Sequence, residues 1–302
     1  MHKPPLLVIA GPTASGKSQL ALDLAARLGG VIVAADSRTV YRDFDIGTAK
    51  PTAEERAQVP HRLIDVADPR ETYTVARFKA DALAAIHEIA AAGRLPMLVG
   101  GTGFYIRSLT GGLSIPEVPP QPELRAAFQA LENPIERLAE VDPATAARLH
   151  PNDRVRIIRA LEVHAVLGKP LSEAATRVEA PFDVVYLAIG MERERLYDRI
   201  NRRTHLMFEQ GLEAEVVRLA ARYGEELPLL STLGYAETLE YLKGRTDREE
   251  AIRLIQQHTR NYAKRQLTWF RHEEGVQWLD AEEGDTLEQA LALVQERFGC
   301  SP

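Results

Sequence analysis

The eight residues "GPTASGKS", Gly11 to Ser18, constrain the fold more than any other stretch of the chain. They match Gly-x-x-x-x-Gly-Lys-Ser/Thr, follow the apolar run "LLVIA" and precede the helix-patterned "QLALDLAARLGG". Such a loop joins a buried strand to a helix and aims backbone N–H groups at anionic oxygens. Lys17 adds a point charge for the distal phosphates, and the Ser18 hydroxyl can complete a magnesium shell. Gly11, Pro12, Thr13, Ala14, Ser15, Gly16, Lys17 and Ser18 are therefore expected to hold a polyphosphate. The motif does not say what group that polyphosphate carries.

The order of the remaining segments gives the fold class. A strand at Leu6–Ala10 and a helix from about Gly16 to Leu28 are followed by the β-branched strand "VIVAAD", which ends on Asp36. A polar stretch with prolines 51, 60 and 69 reads mostly as loop, with "HRLIDV" a short strand within it. "TVARFKADALAAIHEIAAAGR" has helical spacing and a C-terminal glycine, and "LPMLVGG" is a further strand. Alternating strand and helix predict an α/β fold, a phosphate-loop-type doubly wound, mostly parallel sheet with ligands at the carboxyl ends of its strands. The phosphate loop, Asp36 and "GGTG" all fall at such ends.

The composition changes at "SIPEVPPQPEL", where prolines 116, 119, 120 and 122 mark a boundary. From Glu123 to about Val178 the pattern is helical, and "FDVVYLAIG" (182–190) returns to the sheet. The expected organisation is a core of residues 1–117 and 182–302 with a helical insertion at 118–181. Helices over about 192–222, 231–242 and 247–270 and a short strand "VQWLDA" complete the core.

Composition excludes several classes. With 302 residues, 45% of them hydrophobic and 26% charged, the chain can bury a core without covalent staples. One cysteine, Cys300, rules out an internal disulfide framework and a cysteine-based zinc cluster, and suits a reducing cytoplasm. No run reaches the roughly 18 apolar residues of a membrane span, and the run near the N-terminus is too short for a signal peptide. A cytoplasmic monomer is expected. The net charge of −6 argues against wholesale coating of nucleic acid. Two basic islands stand against that background: 252–272, with five Lys/Arg and no acid, and 148–159, with four arginines and one aspartate. Either is a solvated helix face or a polyanion surface.

Two further positions carry chemistry. Asp36 ends the strand after the phosphate-loop helix, so it is either a base-like carboxylate at the ligand edge or a turn residue ahead of "SRTVY". Thr102 in "VGGTGFY" is either a ligand-facing hydroxyl or an incidental turn threonine.

Six strings together, "GPTASGKS", "ADSRTVYRDFDIGTAKP", "PHRLIDVADP", "LVGGTGFY", "HPNDRVRIIRALEV" and "TRNYAKRQLTWFR", closely resemble the tRNA dimethylallyltransferase family, also called tRNA isopentenyltransferases or IPP transferases. The likeness runs from about residue 6 to 280. It implies that the loop binds dimethylallyl diphosphate with Mg2+, held by Ser18, diphosphate oxygens and water, and that diphosphate is the leaving group. The implied acceptor is N6 of the adenosine 3′ to the anticodon (position 37) in tRNAs reading codons beginning with U. By the resemblance Asp36 is the base, Thr102 acts beside it, and Arg203 closes over the diphosphate, with Arg202 adjacent. Asp36, Ser37, Arg38, Thr39, Thr102, Arg125, Asn152, Asp153 and Arg156 match tRNA-contacting positions, and the insertion would clamp the anticodon stem-loop. Arg260, Lys264 and Arg265 of the basic helix can supply phosphate contacts. Trp269 and Phe270 invite base stacking, but such residues on an amphipathic helix are more often core. One departure stands out: Thr39 occupies a position where the family often carries glutamine. The competing readings are a small-molecule kinase using the loop for ATP, an enzyme that prenylates AMP, and a non-catalytic RNA-binding module.

Overall fold

The structure is a computed structural model that describes residues 3–111, 116, 118–175, 179–282 and 285–299. Cys300 and parts of the proline-rich boundary lie outside the described residues. The chain divides into two compact units, Met1–Ile106 with Pro181–Pro302, and Arg107–Ala180.

The first unit is built on six strands: β1 (Pro5–Ala10), β2 (Val31–Ala34), β3 (His61–Arg62), β4 (Pro96–Gly100), β5 (Asp183–Gly190) and β6 (Val276–Asp280). Their order is β3-β2-β4-β1-β5-β6, and every pairing is parallel. The α/β sheet expected from the alternation of segments is present and wholly parallel. Both faces of such a sheet are covered, which is why β1 and β4 read as unbroken apolar runs rather than alternating ones. One face shows the strand period of two: Leu7 and Ile9, Met97 and Val99, and Val185, Leu187 and Ile189 join a single buried cluster. Helices α1 (Lys17–Leu28) and, at the far end of the chain, Thr286–Phe298 complete that cluster through Leu20, Leu24, Leu291 and Val294. The helix Val75–Ala91 lies over β2 and β4.

Three expectations need correction. "HRLIDV" is a strand only at His61–Arg62, because Leu63 and Asp65 adopt positive φ (63° and 59°). Asp65 is turned to meet Lys50 at 2.6 Å, and that ion pair outweighs the β-propensity of the run. The helix expected over 192–222 is two helices, α2 (Arg193–Glu209) and α3 (Leu212–Tyr223), broken at Gly211 with φ 100°. The helix expected from 231 begins only at Tyr235, after a 3-10 turn at Pro228–Ser231. The basic segment forms one long helix, α4 (Arg248–Arg271).

The second unit is helical, with Pro122–Gln129, Pro134–Val141, Pro143–Ala146, Arg154–Leu167 and Leu171–Ala174. Its small core is Leu138, Ile157, Ala160 and Leu161, ringed by Phe128, Ile135 and Leu149. Two buried carboxylates tie it together. Asp142 accepts from Thr145 N, Ser172 N and Ser172 Oγ. Glu162 accepts from Gln121 N at 2.7 Å, from Arg125 through Nε and Nη2, and from Arg159. Burial pushes the Glu162 carboxyl upward, but these hydrogen bonds and Arg159 hold it below its usual range.

Candidate active site

The loop after β1 turns through residues that few sequences tolerate. Ala14 (φ 65°) and Gly16 (φ 100°) are both left-handed, and Ser15 N donates to Pro12 O at 3.2 Å, which closes the turn. The turn delivers the chain into α1, whose first N–H groups have no partner within the helix. Lys17 Nζ donates to Pro12 O at 3.2 Å. Burial pushes the Lys17 ammonium down to about 8, with the Arg203 charge acting in the same direction and Asp36 opposing it. Arg203, on α2, reaches Thr13 Oγ1 at 3.4 Å. Desolvation lowers its pKa too; Asp36 raises it and Arg199 lowers it. Arg203 lines the cleft and Arg202 points to solvent, which separates the two adjacent candidates.

The cleft has a volume of about 1030 Å³ and is lined by Thr13, Lys17, Ser18, Asp36, Thr39, Arg203 and Arg265, among others. Asp36 stands just beyond the end of β2. Its Oδ1 accepts from the Arg38 and Thr39 amides at 2.8 and 3.4 Å, so the turn reading is correct as far as it goes. Among the described residues Oδ2 has no hydrogen bond, which leaves an open acceptor on the cleft. Thr102 Oγ1 accepts from Ser37 N at 3.1 Å, which ties "GGTG" to the residue after Asp36. Burial pushes the Tyr262 phenol up to about 12, with the Asp36 charge adding to the effect. Thr39 is buried, and among the described residues its hydroxyl has no hydrogen-bond partner.

Sequence reasoning missed the residue that holds these loops in register. Gln266 of α4 is buried; its Oε1 accepts from Thr13 N at 2.8 Å and its Nε2 donates to Gly101 O at 2.8 Å. One amide side chain thus joins the phosphate loop to "GGTG". The glycines there are explained by the same helix: a Cβ on Gly101 would lie 2.2 Å from Gln266 Nε2, and one on Gly103 would lie 2.2 Å from Trp269. The legible signal was a glutamine at the buried period of a basic helix, between Ala263 and Phe270. Phe270 is core, and Trp269 packs on the Gly103 backbone with Phe104 at its edge.

The basic-helix candidates are partly occupied. Arg260 donates to Asn201 Oδ1 at 2.7 Å, Arg265 lies over the Tyr262 ring, and Lys264 is exposed. In the helical unit Arg125 is bound to Glu162, whereas Asn152 and Arg156 are exposed; Asp153 caps the helix Arg154–Leu167 and pairs with Arg156 at 3.2 Å.

Among the described residues no three His, Cys, Asp or Glu side chains cluster as a metal site. The exposed Ser18 hydroxyl at the start of α1 fits a cation that arrives on a polyphosphate and keeps most of its shell as phosphate oxygen and water. No described helix is long and apolar enough to cross a membrane.

A wholly parallel sheet with a phosphate loop at its central strand, and a carboxylate at the next strand end, defines a group-transfer enzyme of phosphate-loop architecture. The chain belongs to the IPP transferase family, whose model matches residues 39–273; an isopentenyl transferase model matches residues 4–65. It is 51% identical over 296 residues to a tRNA dimethylallyltransferase of Gloeobacter violaceus, covering 97% of this chain and 98% of that one. The full-length tRNA isopentenylpyrophosphate transferase of Bacillus halodurans is 39% identical with a TM-score of 0.74, covering 98% of this chain and 96% of that one. A eukaryotic dimethylallyltransferase acting on tRNA superposes with a TM-score of 0.81 at 29% identity, covering 98% and 77%.

Proposed function

We propose that the chain transfers the dimethylallyl group of dimethylallyl diphosphate to N6 of adenosine 37 in tRNAs that read codons beginning with U, acting as a cytoplasmic monomer. The observation that carries this reading is the open Oδ2 of Asp36 in the same cleft as the phosphate loop, in a chain alike over its whole length to enzymes of that name. Adenine N6 is a weak nucleophile because its lone pair is delocalised into the ring. It must be held in line with the allylic carbon and must lose a proton as the new bond forms. The N6 lone pair attacks C1, the C1–O bond breaks with its electrons leaving on diphosphate, and the N6 proton passes to Asp36 Oδ2. Thr102 fixes the Asp36–Ser37 turn beside the base. The loop N–H groups, Lys17 and Arg203 stabilise the charge that appears on the departing oxygen. Magnesium, held by Ser18 and diphosphate oxygens, would supply further charge neutralisation.

Adenosine 37 has to leave the anticodon stack to reach this cleft. Arg265, which lines it, and the exposed Lys264 of the same helix suit the tRNA backbone, and the exposed Asn152 and Arg156 of the helical unit suit the stem-loop. The test is incubation with dimethylallyl diphosphate, magnesium and an anticodon stem-loop carrying adenosines at positions 36–38, read by mass spectrometry. A gain of one C5H8 on adenosine 37 with release of diphosphate is expected. Absence of the adduct, with ATP turnover on small acceptors instead, would overturn the reading in favour of a kinase; prenylation of free AMP at a comparable rate would redirect it to the nucleotide. Asp36→Ala should lower turnover by about 10²–10⁴-fold, the usual contribution of a positioned base, while stem-loop binding persists.

A further inference from the structure

α2 carries two arginines one turn apart, Arg199 and Arg203, on the side that meets the phosphate loop. Arg203 reaches Thr13 and is coupled to Asp36, so it sits toward the reacting end. Arg199 sits elsewhere along the loop: a methyl group placed on Gly16 would lie 3.4 Å from its Nη2 and 3.8 Å from its Nη1. Its guanidinium is therefore over the backbone at the entrance to α1, next to Lys17 and Ser18. Among the described residues Arg199 forms no ion pair and no hydrogen bond. Arg195, one turn earlier on the same helix, is paired with Glu282 at 3.0 Å. The absence of a partner is thus a local property of Arg199 and not of the helix.

Like charges at i and i+4 repel, and Arg203 also faces Lys17, with Asp36 the one carboxylate acting on Lys17 and Arg203. Arg199 is exposed, so solvent screens that repulsion, and its guanidinium stays unengaged until an anion arrives at the loop. A diphosphate has two phosphate groups to be held, and the cations divide into an inner group near Asp36 and an outer one at Gly16. We propose that Arg199 grips the distal phosphate of the donor, and of the diphosphate product, from outside the loop, while Lys17, in place of the distal role expected from the motif alone, and Arg203 serve the phosphate attached to the allylic carbon. This rests on the donor reading above. Arg199 is a binding residue in that scheme: the bond that breaks lies at the other end of the diphosphate, so its loss should act on donor affinity before turnover.

The experiment is calorimetric titration of the full chain, with magnesium, with dimethylallyl diphosphate and separately with dimethylallyl monophosphate, for wild type, Arg199→Gln and Arg199→Lys. Arg199→Gln should weaken the diphosphate by about 10-fold or more, the worth of one charge-assisted hydrogen bond. The monophosphate, which has no distal group, should bind both proteins alike, and Arg199→Lys should recover part of the loss. In steady state Arg199→Gln should raise donor KM and the inhibition constant of inorganic diphosphate together, with kcat changed by less than about 3-fold. Equal affinities of wild type and Arg199→Gln for the diphosphate would overturn the proposal and leave the donor reading intact. An equal loss for both compounds would also overturn it, since Arg199 would then act as a general field. A wild-type protein that binds neither compound would remove the donor reading itself.

Discussion

Two lysines in the same unit show how differently a fold can use one charge. Lys50 has 2% of its side chain exposed and spends all three donors: Asp45 Oδ1 at 2.7 Å, Asp65 Oδ1 at 2.6 Å and Tyr41 O at 2.8 Å. Lys17 has one carbonyl at 3.2 Å and, among the described residues, no ion pair, with Arg203 close enough to repel it. The first is a complete hydrogen-bonding set that holds the loop between Tyr41 and Asp65. The second is an incomplete set whose remaining partners must come from outside the chain. A buried cation that is fully paired speaks of architecture; one that is crowded by other cations speaks of a ligand.

Substitution should separate the two roles. Lys17→Met should reduce kcat/KM for the donor by about 10³-fold, the scale of losing one preorganised charge at a leaving group, with the melting temperature unchanged or raised. A fall in melting temperature would instead place Lys17 with the structural lysine. Lys50→Met should leave Asp45 and Asp65 without their cation and lower the unfolding free energy by about 3–5 kcal/mol, measured by urea denaturation. A smaller loss, with donor binding impaired instead, would blur the distinction.

Titration sharpens it further. The Lys17 pKa is depressed in the folded protein to about 8 from 10.5, so its charge is a cost to the fold below about pH 8. That cost disappears as the pH rises from 8 toward 10.5, where the unfolded chain still holds the proton, so this group adds stability with rising pH over that window. Donor capture moves the opposite way. With the free enzyme, kcat/KM for the donor should fall by about 10-fold per pH unit above 8, and Lys17→Arg should remove that limb while keeping part of the activity. A pH profile flat to 10 would mean that Lys17 keeps its charge in the free enzyme.

The site was legible wherever chemistry and chain order coincide, and opaque wherever a distant segment supplies the partner. The phosphate loop, Asp36 and Thr102 announce themselves as motif residues at strand ends, and the sheet edge brings them together. Gln266 does not, because its partners lie 253 and 165 residues away, and nothing local marks a glutamine as a strut. Glu215 is a second case. It is buried on α3, accepts from the amides of Asp45, Ile46 and Gly47 and from the Tyr235 hydroxyl, and so fixes a wall of the cleft. In sequence it is one glutamate among many, distinguishable only by falling on the buried face with Leu212, Val216 and Leu219. The break at Gly211 and the Leu63–Asp65 turn were missed for a related reason: hydrophobic periodicity continues through them, and backbone handedness is not written in periodicity. The C-terminal helix Thr286–Phe298 went unread although its Leu291 and Val294 close the face that α1 begins.

The position of β1 has a consequence in time. Its two neighbours in the sheet are β4 and β5, and β5 lies beyond the whole helical unit in the chain. On a ribosome adding about 5–20 residues per second, Leu6 to Ala10 emerge before Asp183–Gly190 and wait on the order of 10–40 s for that strand to be made. The Arg107–Ala180 segment, with its own core, can condense meanwhile. The phosphate loop is therefore among the last parts of the nascent protein to find its final shape.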